Sequence, residues 1–181
     1  MKTKTFVAIS LALVLSVSAL SAQTRHRTYS EGYGHTLNLG LGIGGYSGYY
    51  GYIGHTLPVF SANYEFDVAQ SFTLAPFATL YSYSDNNYRE TVIPLGVKGT
   101  YYFDKLFNAG RDWDFYGAGS LGFALRTTTW DANYNGDRTY YHDASPLFLD
   151  LHIGTEYHFN NHIGAFLDLS TGVSTIGIAI H

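Results

Sequence analysis

The 181-residue chain has no cysteine, a single methionine at Met1, two tryptophans and only 13% charged residues. Without cysteine there is no disulfide framework and no thiolate to hold a metal or attack a substrate. Basic residues are also scarce, at 10 Lys and Arg against 14 Asp and Glu. The longest basic stretch, TRHR at 24–27, is too short for a nucleic-acid groove. Beyond the first 22 residues no apolar run approaches the roughly 18 residues of a membrane-crossing helix. Stability, and any business with a membrane, must therefore be found in strands and loops.

What is abundant is aromatic and glycine: 17 Tyr, 12 Phe and 20 Gly. The opening MKTKTFVAISLALVLSVSALSA has two lysines, an apolar run and small residues, the layout of a secretory signal peptide. The apolar run is short for a membrane anchor. We expect residues 1–22 to be a cleaved signal, cut after Ser21 or Ala22, residues 23–34 a periplasmic lead, and 35–181 one domain. With Lys2 and Lys4 removed, 8 basic residues face 14 acidic ones.

The stretch LFLDLHIGTEYHF at 147–159 alternates without a break. Leu147, Leu149, Leu151, Ile153, Thr155, Tyr157 and Phe159 share one face; Phe148, Asp150, His152, Gly154, Glu156 and His158 share the other. Seven further runs alternate in the same way: 35–45, 58–68, 72–83, 91–103, 114–126, 162–170 and 174–181. Most are about 9 to 14 residues, long enough for the roughly 9–11 that a tilted strand needs to cross a bilayer. Short connections near 69–71 and 160–161 take turns with long ones near 45–56, 84–90 and 127–145, as in up-and-down membrane barrels. Two connections depart: 104–114 is long for the short-turn rim, and 171–174 is short for the outer one.

Size decides which row meets lipid. No charged residue falls in the apolar rows, where an Arg or Lys at the bilayer midplane would cost roughly 2–4 kcal/mol. The opposite rows are mostly small, with Asn38, Gly40, Gly42, Ser61, Thr73, Ala75, Gly96, Ser120, Gly122, Gly154 and Gly177. An eight-stranded barrel has an interior only wide enough for side chains to fill, so the bulky row is expected outside and lipid around it. Tyr64, Phe66, Phe72, Tyr101, Phe103, Phe115, Tyr157 and Phe159 all fall at the short-turn rim, as an interfacial aromatic girdle would. The fold class is all-β, an eight-stranded antiparallel up-and-down transmembrane β-barrel with both ends periplasmic. The rival, a secreted lipocalin-like carrier, needs the bulky row inside.

With its signal, its alternating strands such as IPLGVKGTYYF (93–103), and the hairpin HIGTEYHFNNHIGAFLDLSTGV (152–173), the chain resembles the small eight-stranded outer-membrane barrels, the OmpA/OmpX-like, porin-like family. The resemblance covers essentially the whole mature chain and rests on pattern rather than on a diagnostic motif. It implies an outer-membrane location, contact with lipid and lipopolysaccharide, and biogenesis through periplasmic chaperones and the barrel-assembly machinery. One departure is the ending Ile180-His181, where such barrels usually finish on an aromatic.

The inward rows carry Glu65, Asp67, Lys98, Arg126, Asp150, His152, Glu156 and Asp168, with His158 beside them. We expect a paired polar network filling the lumen, in which two cations facing five carboxylates leave some acids in need of other partners. A catalytic group is not expected. His142, Asp143 and Ser145, with Ser170 and Ser174, are the nearest approach to the site of a lipid A-modifying enzyme, but their spacing is ordinary loop chemistry. Asp131, Asn133 and Asn135 in DANYNGD match the start of a calcium loop, yet His142 stands where the twelfth-position acid belongs, and Asn135-Gly136 is also a favoured hairpin dipeptide. The Gly/Tyr-rich 44–54 lacks the helix a phosphate cradle needs, and His26, His35, His55 and His162 stand alone. The expectation is a monomeric barrel with no cofactor, no nucleic-acid partner and no open pore, whose external loops meet surface partners or lipopolysaccharide.

Overall fold

The computed structural model describes residues 32–46, 58–84, 87–103, 112–136 and 145–181. The signal segment with its cut, most of the lead, His26, His55, His142, Asp143 and most of 44–56 and 104–114 lie outside the described residues. Eight strands form: β1 Thr36–Ile43, β2 Val59–Ala69, β3 Phe72–Ser84, β4 Tyr88–Tyr102, β5 Trp113–Trp130, β6 Leu147–Asn160, β7 Ile163–Ser170 and β8 Ser174–Ile180. Each pairs antiparallel with its sequence neighbour, and β1 pairs with β8 to close the barrel.

Local chemistry makes the tight turns. Ser71 takes a positive φ of 58° between β2 and β3. The Asn160 side chain accepts from the backbone N–H groups of His162 (2.8 Å) and Ile163 (3.1 Å), an Asx turn. At the opposite rim Gly172 N donates to Ser170 Oγ at 2.9 Å and Ser170 N to Ser174 Oγ at 3.0 Å. Ser170 and Ser174 are thus occupied in making the last turn.

Side-chain direction settles the lipid question. Leu149 is 60% exposed, Leu151 59% and Phe123 38%, whereas Asp150 is 4% and Lys98 7% exposed. Leu39, Phe60, Leu80, Val97, Leu167, Ile176 and Ile178 are exposed around the same belt. A carrier with its apolar row inside is incompatible with this wall. The rim girdle is present, and Trp113 joins it, packed on Phe115 (6.1 Å) and Tyr157 (4.9 Å between ring centroids).

Two expectations are corrected. β4 begins at Tyr88, ahead of the run 91–103, because the ladder continues from Val92↔Arg126 to Tyr88↔Trp130; β5 runs on to Trp130, as expected of a strand continuing above the membrane toward a tip at Asn135-Gly136. At about 3.3 Å per residue, the 18 residues of β5 exceed a hydrocarbon core of about 30 Å even when tilted, so this end projects above the belt. Second, the inner row is less uniformly small than its glycines suggest. Phe77, Tyr116, Phe148 and Phe166 point inward, and each lies directly across from a glycine: Gly96, Gly154, Gly122 and Gly177. A Cβ on any of these glycines would strike the facing ring, at 2.9 Å for Gly96 and 2.7 Å for Gly122 and Gly177. Glycine and ring share one cross-strand slot.

Two predictions follow from this wall and lining. Leu151→Arg is expected to destabilise the barrel in bilayers by about 2–4 kcal/mol, and Phe159→Arg at the rim by about 0–1 kcal/mol; reversible denaturant unfolding in lipid vesicles reads both. Gly154→Ala, driven against the Tyr116 ring, is expected to cost about 1–3 kcal/mol. Gly119→Ala, with open space around its Cβ, is expected to be neutral or slightly stabilising.

Candidate functional site: the filled lumen

Among the described residues, a buried tyrosine stands toward each end of the lumen. Tyr33, just before β1, stacks on Tyr102 with centroids 4.1 Å apart. Its chain is held by the Asp67 carboxylate, which accepts from Tyr33 N (3.2 Å) and Gly34 N (3.0 Å). Asp67 therefore belongs to the rim, exposed, and not to the interior network in which the sequence places it; it stands near the end of β2, where the inward row has already passed the mouth. At the other end Tyr46 is buried, packs on Phe148 (5.1 Å) and donates its N–H to Tyr81 Oη (3.4 Å). Val59, Tyr81, Val92, Ala124 and Phe148 make an apolar layer beneath it.

Between these tyrosines lie two polar hubs. Asp168 accepts from Lys98 Nζ (3.2 Å) and Tyr116 Oη (3.1 Å) on one oxygen, and its other oxygen meets His152 Nδ1 (2.7 Å). Lys98 also sits over the Tyr116 ring, 5.3 Å from its centroid. Glu65 accepts from Tyr102 Oη (2.7 Å), Thr73 Oγ1 (2.7 Å) and Asn38 Nδ2 (2.9 Å). The shortage of cations is met by neutral donors: hydroxyls, an amide and imidazoles take the places that Lys or Arg would fill.

The remaining sequence-selected residues lie elsewhere in the lumen. Asp150 is buried against Gly172, where a Cβ would collide with its carboxylate. Arg126 is half-buried, and together with the buried Glu90 it lies within electrostatic reach of Tyr46. Glu156 is buried at the short-turn rim, where His181 Nε2 meets it at 2.7 Å. Glu90, Asp114 and His181 were absent from the selection. Asp114 and His181 have inward parity within the runs 114–126 and 174–181, and carrying the inward parity of the run 91–103 one residue back reaches Glu90.

Ser120 Oγ lies 2.9 Å from His152 Nε2, whose Nδ1 faces Asp168. This is the connectivity of a serine nucleophile, base and orienter. It is enclosed: Ser120 and Asp168 are buried, and the lumen cavity they line is about 50 Å³, room for a few water molecules and not for an acyl chain. Among the rim candidates, Ser145 accepts from Leu147 N at 3.2 Å. Asp131, Asn133 and Asn135 are each exposed, and a turn closes from Tyr134 N to Asp131 O at 3.0 Å. His35 stands beside Tyr64 Oη (3.4 Å) and His162 is exposed in its turn.

No family model and no curated protein matches the chain. Among solved structures, the crystal structure of Neisserial surface protein A aligns with 80% of this chain and 94% of its own, at 14% identity and a TM-score of 0.50. This is the fold of the small outer-membrane barrels. Lower-scoring matches are the attachment invasion locus protein Ail of Yersinia pestis (7% identity, 80% and 94% of the two chains, TM-score 0.45) and a de novo designed transmembrane β-barrel (10% identity, 81% and 95%, TM-score 0.45).

The Asp168 hub yields a stability prediction. Asp168→Asn leaves the Lys98 ammonium buried without its carboxylate and is expected to cost about 3–5 kcal/mol. The pair Lys98→Met with Asp168→Asn is expected to recover part of that loss in the same unfolding assay.

Proposed function

We propose that this outer-membrane barrel is a closed, non-catalytic mount that works through the surface it presents outside the membrane. The observation that carries the reading is the contrast between a lumen filled from Tyr46 to Tyr33 and a β4–β5 end that rises beyond the belt. The Asp168 hub joins β7 to β4 across the bore and the Glu65 hub ties β2 to β1, β3 and β4, so an aqueous path would have to skirt or break buried hydrogen bonds, each costly to leave unmade. The projecting end carries a run of rings. Tyr83, Tyr88, Trp130 and Tyr134 follow one another at centroid separations of 6.0, 5.1 and 5.2 Å. Tyr and Trp offer large contact area at small entropic cost, which suits lipopolysaccharide or a surface partner. We further propose that the barrel is monomeric and is delivered by periplasmic chaperones and the barrel-assembly machinery.

Two measurements test this. In planar bilayers the protein is expected to give no steady large conductance; a sustained open channel would overturn the closed-lumen reading. Trp130→Ala with Tyr134→Ala is expected to reduce retention on immobilised lipopolysaccharide several-fold while leaving heat-modifiable gel mobility intact. Equal retention would remove the aromatic run from the function.

Among the described residues, the Ser120–His152–Asp168 alignment favours a second reading, a lipid A-modifying enzyme acting on acyl chains. A fluorophosphonate probe separates the two. No labelling at Ser120 and unchanged lipid A masses are expected; labelling abolished by Ser120→Ala would favour the enzyme.

A further inference from the structure

We propose that Glu156, His158 and His181 form a binding site for one divalent transition-metal ion, zinc by ligand type, at the short-turn rim. One ligand atom from each lies within 4.8 Å of the others. His181 Nε2 is 2.7 Å and His158 Nδ1 3.7 Å from Glu156 Oε1. Two ligands on a tetrahedral zinc, each about 2.0–2.1 Å from it, stand about 3.3 Å apart. The three atoms bracket that spacing, and side-chain movements of about an ångström would close the set. Two imidazoles and one carboxylate suit zinc better than the all-oxygen preference of calcium or magnesium.

The outer partners point the right nitrogens inward. His158 Nε2 lies 2.8 Å from Asp114 Oδ2. A carboxylate only accepts, so this nitrogen carries a proton and Nδ1 is the ring nitrogen turned toward Glu156, free to ligate once any proton on it is released. Thr36 Oγ1 donates its one proton to Tyr33 O at 3.1 Å, so it accepts from His181 Nδ1 at 2.9 Å; Nε2 then faces the site, and the proton it shares with the Glu156 carboxylate at 2.7 Å is the one a bound metal ion would displace. Metal-ligating histidines characteristically have their second nitrogen held in this way. The fold also clears the space. Gly164 of β7 pairs with His158 on one side and Ala179 on the other, and a Cβ there would collide with the Glu156 carboxylate. The missing side chain lets β6 reach across β7 to the residue that follows β8. With Asp114 and Thr36, the site would tie β5 and β6 to the β1–β8 seam. Three protein ligands leave a fourth position for water.

The test uses the folded protein in detergent, stripped with chelator and dialysed against zinc, with bound metal counted by elemental analysis. One zinc per barrel is expected. His158→Ala and His181→Ala should each abolish stoichiometric binding, and Asp114→Asn should weaken it about 10–100-fold. His162→Ala, a turn residue outside the cluster, should change nothing. Because a rim variant can fail to fold, heat-modifiable mobility is checked for each, and cobalt is added to the unaltered protein as an independent probe. A strong visible absorption of four-coordinate cobalt, bleached by zinc, is expected. Absence of stoichiometric zinc, absence of that absorption, or full affinity in folded His158→Ala and His181→Ala would each overturn the proposal.

Discussion

The narrowness of an eight-stranded cylinder governs the rest of this molecule. Its axis is crossed by a single layer of side chains, so a large group entering from one strand needs a strand opposite or adjacent with almost none. The pairing of Phe77, Tyr116, Phe148 and Phe166 with Gly96, Gly154, Gly122 and Gly177 meets that condition slot by slot. Leucines and isoleucines that cannot be lodged inside are displayed on the wall, where acyl chains solvate them as well as a core would. The same limit narrows the bore among the described residues, since much of the volume the glycines release is taken up by rings and carboxylates.

Confinement also shapes the electrostatics. Ionised groups in a small, poorly solvated lumen are tolerated only when each finds partners of good geometry. Asp168 has three, Lys98 and the polar tips of Tyr116 and His152; Glu65 has three that are uncharged. The abundance of tyrosine thus has two causes. Outward, its ring suits the headgroup boundary; inward, its body fills the bore and its hydroxyl reaches an acid. Tyr33 and Tyr46 add a third use, packing on Tyr102 and Phe148 toward the two ends.

Most of the architecture is legible in the sequence because period-two alternation is long, uninterrupted and different on its two faces. The closed eight-strand topology, the strand ends to within a few residues and the outward direction of Leu149 and Leu151 all descend from it. What alternation does not carry is position across the barrel. Parity puts Lys98 and Asp168 inside, but nothing along the chain says that they meet, nor that Ser120 aligns with His152. Asp67 shows the limit from the other side: its parity is inward, yet at the end of β2 it stands at the mouth and binds backbone. Glu90 lies in a stretch whose polarity reads as loop, although the inward row of β4 continues through it. His181 has inward parity too, but its nearness to Glu156 depends on Gly164, a residue that marks its importance by having no side chain.

The central claim, that the odd-numbered row of β6 faces lipid and the even-numbered row the lumen, is open to direct measurement. The chain has no native cysteine, so single cysteines placed in turn from 147 to 153 can each carry a nitroxide, and oxygen accessibility can be read in bilayers. Accessibility is predicted to rise and fall with a period of two, high at 147, 149, 151 and 153 and low at 148, 150 and 152. The opposite phase, or a flat profile, would contradict the account.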